Sequence, residues 1–358
     1  MKRAPGIVAL LAAALWEAVA AAGGATNAAP ALAAADPDLI PEAREILLYL
    51  HEVRGKGVLL GQNYGRGPAE RVHELSGKWP ALVGYDLSGH RWPRWTAEYR
   101  GVLQASIDSA RAWWTEHGGI VQFQWHWFNP LAANATWKHE PPVDLRRAVA
   151  PGTAEHEAVM RDLSRTADYL RQLADARVPV FFRPLHEIDG GWFWWTDCEH
   201  GENTAALWRM LFDYLVKERG LHNLIWVYSV GQGCGGKARG ETSPARYAFY
   251  PGDAYVDIVG IDVYAGGQLD HKRNGWALFY GSMSTLFPGK LVALTECPAV
   301  PNPDEMRAEA AFWSYAMAWW APGKGNPEEW VKTVAPHEFI VTLDEIPDFR
   351  KGRKERGR

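Results

Sequence analysis

The 358 residues carry 38 Lys and Arg against 42 Asp and Glu, a near balance that offers no broad cationic field to a nucleic acid or an anionic lipid surface. At 47% hydrophobic and 22% charged the chain suits a soluble globular protein of one large or two medium domains with a sizeable core. Nineteen tryptophans stand out; about half are expected in the core, and the rest suggest a neutral partner such as a sugar ring, whose C–H faces pack on an indole.

Residues 1–28 begin with Lys2 and Arg3, continue through an apolar run at 7–16 and reach the small residues Ala18, Ala20 and Ala22. That order is a secretory signal peptide, weakened by Glu17, so export to the periplasm or the medium is expected. No later segment offers about 20 continuous apolar residues, so no membrane span is expected. Residues 29–38 read as an Ala/Pro-rich linker and 41–53 as an amphipathic helix.

Short apolar, β-branched runs follow at 58–60, 81–85, 120–125, 178–182, 224–228, 257–263 and 291–295, with an aromatic-rich candidate at 315–320. Helical patterns such as 97–117, 155–176, 204–219 and 304–313 lie between them. Strand and helix therefore alternate as parallel β-α units require, and the continuous apolar runs fit strands buried on both faces. The expectation is an α/β fold, a single-domain (β/α)8 TIM barrel over 39–349, followed by a disordered charged tail at 350–358. A doubly wound dinucleotide fold is disfavoured because no G-x-G-x-x-G follows the first strand.

The chemistry of such a barrel lies where its strands end. There the sequence places Asp86 after the second strand, His126 after the third, His186 and Glu187 after the fourth, Asp262 and Tyr264 after the sixth and Glu296 after the seventh. Strands four and seven face each other across a barrel mouth, and two carboxylates across a cleft are the equipment of glycoside hydrolysis. The bland alternative makes both glutamates salt-bridged structural acids with Arg183 as one partner. The twelve histidines contain no H-E-x-x-H and no H-x-H at a first strand, so no metal is expected. Cys198, Cys234 and Cys297 form no C-x-x-C; any two would bridge in an oxidising compartment, and Cys297 is most simply a small packing residue.

The stretches RPLHEIDGGWFWW (183–195) and YPGDAYVDIVGIDVY (250–264), with LTE at 294–296, resemble glycoside hydrolase family 26, whose best-known members are endo-β-1,4-mannanases. His-Glu at the fourth strand end favours this family over sibling barrel hydrolases that carry Asn-Glu. The resemblance implies a retaining hydrolase with Glu187 as acid/base and Glu296 as nucleophile. Glu187 is expected to be raised in pKa by apolar neighbours, and Glu296 to stay ionised through donors such as Tyr264. It also implies a sugar-lining role for His126, His186, Trp192, Asp262, Tyr264 and one of Trp319 and Trp320, with Gly190 and Gly191 letting the loop fold close. Ala321 stands where some family members have an arginine. No cofactor is expected, and the implied partner is β-mannan or a related β-linked polysaccharide, taken by a monomer. A β-1,3-1,4-glucanase, a β-1,3-xylanase or an inactive polysaccharide-binding barrel are the alternatives.

Overall fold

The computed structural model of the protein describes residues 33–88, 92–231, 233–234, 247–264 and 276–351. The expected signal peptide, residues 29–32 of the linker and the tail beyond residue 351 lie outside the described residues. Eight strands run β1 (Val58–Gln62), β2 (Leu82–Asp86), β3 (Ile120–Gln124), β4 (Val180–Arg183), β5 (Leu224–Val230), β6 (Ile258–Asp262), β7 (Leu291–Cys297) and β8 (Tyr315–Ala318). All pair in parallel with the next, and β8 and β2 both pair with β1, so the sheet closes into a (β/α)8 barrel. A two-residue strand, β9 (Ile340–Val341), adds to the start of β1.

Every expected strand overlaps an observed one. Their residues are almost wholly buried, which is why the apolar runs are continuous: helices cover the outer face and packed side chains fill the interior. The helix Ala97–Ala112 starts on Thr96, whose hydroxyl accepts from Tyr99 N, and Ala154–Asp175 starts on Thr153 in the same way. The expected helices 97–117 and 204–219 end in π turns at Trp113–His117 and Asp213–Glu218. Among the described residues no helix is long and apolar enough to cross a membrane.

Two boundaries differ from expectation. The helix expected over 304–313 stops at Ala308, and Ala310 adopts a left-handed φ of 56°. Trp313 is apolar because it is buried edge-on against Tyr280 ahead of β8, not because it continues a helical face. The described end of the expected linker is docked: Ala35 N donates to Asp257 Oδ1 at 2.7 Å, and buried Asp36 pairs with His222 Nδ1 at 2.9 Å. The ordered unit therefore begins a few residues before 39. Ten of the nineteen tryptophans are buried, so about half do serve the core.

Candidate active site

The backbone turns sharply as it leaves β4. Leu185 and Glu187 both adopt left-handed φ values, 47° and 48°, a conformation that costs roughly 1–3 kcal/mol per non-glycine residue and collects at functional sites. Ile188 N donates to Ser229 O, and Gly190 N to Glu187 O, which fixes the curl. It presents Glu187 to the barrel mouth beside Trp192, whose indole N–H donates to Glu187 Oε2 at 2.8 Å.

The second glutamate is aimed by a bulge. Ile261 pairs with Leu294, but Asp262 pairs with Glu296, and β7 spends one extra residue against β8 as well. A bulge bends its strand and re-aims a side chain, and bulges gather at barrel rims beside active sites. The displaced residue, Thr295, donates from Oγ1 to Asp262 Oδ1 at 2.5 Å. It fits because Gly260 has no Cβ; one there would stand 2.3 Å from Thr295 Cγ2.

One oxygen each from Glu187, Asp262 and Glu296 lie within 4.8 Å of one another. Wholly buried Arg183 supplies the opposing charge: Nη1 donates to Asp262 Oδ2 at 2.7 Å and to Ser229 Oγ at 3.1 Å, while Nη2 donates to Gln124 Oε1 at 2.6 Å and to Glu296 Oε1. Tyr264 donates its phenol to Glu296 Oε2 at 2.9 Å. These three carboxylates are the acidic set a cation would use, and the guanidinium already stands among them. A second set, Asp36, Asp38 and His222, lies away from the barrel mouth, where the chain docks before its first helix.

Burial pushes Glu187 up to about 8, with Asp262 adding to the rise and the Trp192 indole and Arg183 opposing it. Burial also raises Glu296, as do Asp262 and Glu187, against the pull of Arg183. Two raised carboxyls sharing one guanidinium hold one proton between them. It resides on Glu187, because Glu296 accepts from a guanidinium and a phenol while Glu187 accepts, among the described residues, from an indole alone. Burial and then Glu296 push the Tyr264 phenol far up, so it remains a donor.

The Trp192 bond makes a sign-specific prediction. Trp192→Phe keeps the ring and removes the N–H that favours the charged carboxylate, so Glu187 rises further. The alkaline limb of kcat/KM moves to higher pH, and the rate falls roughly tenfold. A limb that stays in place, or moves down, contradicts the contact.

A histidine pair adjoins the acids. Asp86 Oδ2 meets His126 Nδ1 at 2.5 Å, and His126 Nε2 faces His186 Nε2 at 3.2 Å. Burial, then His126 and Arg183, hold His186 well below the usual imidazole range, so it stays neutral. Trp192 is 37% exposed, whereas Trp194 and Trp195 are fully buried and bond to the carbonyls of Trp127 and His186. The two candidates after β8 separate: the Trp319 ring lies 6.0 Å from His126 and 6.4 Å from Tyr264, while Trp320 leans on Gly325, where a Cβ would stand 2.9 Å from its ring.

The structure thus gathers Glu187, Glu296, Asp262, Tyr264, His126, His186, Trp192 and Trp319 at one barrel mouth, while Trp320, 41% exposed, packs on Gly325. Sequence reasoning gave Arg183 a merely structural part and passed over Gln124, Tyr64 and Trp137. Tyr64 stacks edge-on to Trp319 at 5.1 Å with φ 68°, and half-exposed Trp137 lies 5.7 Å from His126. An arginine ending an otherwise apolar strand was the available signal for the first; loop aromatics carry none.

A closed β/α barrel with paired carboxylates, one just past β4 and one on β7, flanked by half-exposed indoles, has the build of a barrel glycoside hydrolase. Residues 35–345 match glycosyl hydrolase family 26, and the chain belongs to that family. It is 34% identical over 337 residues to a mannan endo-1,4-beta-mannosidase of Thermothelomyces thermophilus, covering 88% of this chain and 63% of that protein. Among solved structures, the Podospora anserina GH26-CBM35 beta-(1,4)-mannanase superposes with a TM-score of 0.76 at 29% identity, over 91% of this chain and 72% of that one. A beta-mannanase from a symbiotic protist of the termite Reticulitermes speratus, complexed with gluco-manno-oligosaccharide, gives 0.73 at 30% identity, over 88% and 97%. The chain spans between half and two-thirds of the length of the first curated relatives it matches.

Proposed function

We propose that the protein is a retaining endo-β-1,4-mannanase that cleaves internal bonds of mannan, galactomannan or glucomannan. The observation that carries this reading is the approach of one oxygen of Glu187 and one of Glu296 to within 4.8 Å. Retaining glycosidases hold their carboxyls about 5–5.5 Å apart, whereas inverting ones leave room for a water at about 6.5–9.5 Å.

Glu296, ionised and held by Arg183 and Tyr264, attacks the anomeric carbon. The bond to the leaving oxygen breaks with its electron pair going to that oxygen, which takes the proton from Glu187. The product is a glycosyl ester of Glu296 and a departed sugar. A water then gives its proton to Glu187 and its oxygen to the anomeric carbon, and Glu296 leaves as carboxylate. Trp192 and Trp319 offer faces for sugar rings on either side of the acids. His126, His186 and Asp262 supply hydrogen-bonding edges around the scissile sugar.

The substrate assignment is supported by the relatives matched over most of the chain, which are mannanases by name, and by the oligosaccharide in the protist enzyme; an endoglucanase matches over 28% of the chain. Export is supported by the leader-like residues 1–28 and by a disulfide between Cys198 and Cys234, a bond favoured in oxidising compartments.

Reducing-sugar release from galactomannan, glucomannan, lichenan and β-1,3-xylan across pH tests the proposal. Mannan polymers are expected to be cut fastest. Glu187 must enter protonated, so kcat/KM falls as pH rises through about 8. Preference for lichenan or xylan, or no release from any polymer, refutes it.

A further inference from the structure

We infer that the Cys198–Cys234 disulfide is a positioning device for the general acid, clamping the loop after β4 to the loop after β5 so that Trp192 stays over Glu187. The inference rests on the reading of Glu187 as the acid.

The bridge joins residues 36 apart in sequence, one beyond β4 and one beyond β5, which are neighbours in the barrel. It lies directly against the turn that carries Trp192: a Cβ on Gly191, at φ 84°, would stand 2.9 Å from Cys198 Sγ and 3.8 Å from Cys234 Sγ. From the β5 side, Gly231 closes on the same group, since a Cβ there would stand 3.0 Å from Glu187 Cβ and 3.2 Å from Trp192 Cζ2. Gly231 N also donates to Asp189 Oδ1 at 2.6 Å. The indole is therefore set between two neighbouring loops, and the disulfide is the covalent tie between them.

The segment needs a tie. Gly190 and Gly191 are adjacent, and glycine loses more backbone freedom on ordering than any other residue. The following Phe193, Trp194 and Trp195 are buried and anchor themselves, but Trp192 is half-exposed. His139 reaches the Gly191 backbone from the loop after β3 and adds a polar hold. A covalent link between the two loops restricts the segment further. Cys198 itself is exposed.

The charged groups facing Glu187 are Asp262 from β6, Glu296 from β7, and Arg183 and Asp189 from the β4 end. None belongs to the clamped segment 190–192, so releasing that segment changes water access to Glu187 and leaves its charged neighbours in place. Burial is the largest influence on this carboxyl, and admitting water therefore lowers its pKa. Release also takes the indole N–H off Glu187, but the entering water replaces that donor, so the sign is opposite to that for Trp192→Phe, which removes the N–H and keeps the cover.

The test compares the intact protein with the Cys198→Ser, Cys234→Ser pair and, separately, with Gly191→Ala, which keeps the bridge and displaces the turn. Two readouts are taken: the pH profile of kcat and KM on mannan, and the indole 15N–1H resonance of Trp192, assigned by its disappearance in Trp192→Phe. In both variants the alkaline limb moves to lower pH, kcat falls about tenfold, and the resonance moves toward that of a solvent-bonded indole. An unmoved limb and resonance, with only a lower thermal midpoint, overturns the proposal. Should the serine pair fail to fold, the same two readouts on the folded protein before and after reduction of its disulfide decide. If the intact protein releases no sugar from mannan, the functional reading fails by itself, and the resonance still decides whether the bridge holds Trp192.

Discussion

Glu296→Ala lowers turnover on mannan by on the order of 10⁵-fold, because the covalent half of the reaction then has no attacking group. The loss is specific in kind as well as large. Azide, small and anionic, fills the space left by the carboxylate beside Arg183 and restores part of the rate, yielding the α-glycosyl azide. Glu187→Ala behaves differently. Its loss is large on polysaccharide, where the leaving oxygen needs a proton, and small on an aryl mannoside whose leaving group departs unaided. Azide then intercepts the ester and gives the β-glycosyl azide. Residual turnover above about 1% in Glu296→Ala, or the same azide anomer from both variants, contradicts the assignment of roles.

Arg183→Met costs about 3–5 kcal/mol of stability, because it leaves two buried carboxylates without their opposing charge. The guanidinium is wholly buried and forks between Asp262 and Glu296, so solvent does not screen the loss. The penalty depends on pH with a definite sign. Without Arg183 the folded-state pKa of Glu296 rises further above its unfolded value, so the variant binds a proton on folding and loses stability as pH rises. Urea unfolding of both proteins at several pH values should show the gap widening from acid to alkaline conditions. Catalysis falls too, since Glu296 now competes for the proton that Glu187 must carry. A gap under about 1 kcal/mol, the range of exposed ion pairs, or one independent of pH, removes Arg183 from this role.

The barrel was legible because its strands are buried on both faces and so read as unbroken apolar runs; 224–228 and 291–295 need no context to be recognised. The acids were legible because a glutamate that closes an apolar strand has few bland explanations. What stayed hidden depends on three-dimensional neighbours. The extra residue at Thr295 that aims Glu296 breaks no hydrophobic pattern, and nothing in spacing says that Cys198 and Cys234 leave adjacent strands. Trp319 and Trp320 are identical in type and consecutive, and only the path after β8 turns one to the acids and the other to Gly325. The helix end at Ala308 was misread because Ala311 and Trp313 are apolar for the core ahead of β8.

The stereochemistry of the first product tests the central claim most directly. Proton NMR of mannan hydrolysis, followed from the earliest minutes, should show the β-anomeric reducing end first and the α-anomer only as mutarotation proceeds, as two displacements through an ester of Glu296 require. If the α-anomer appears first, water attacks in a single step, and the close approach of Glu187 and Glu296 is not the machinery of this enzyme.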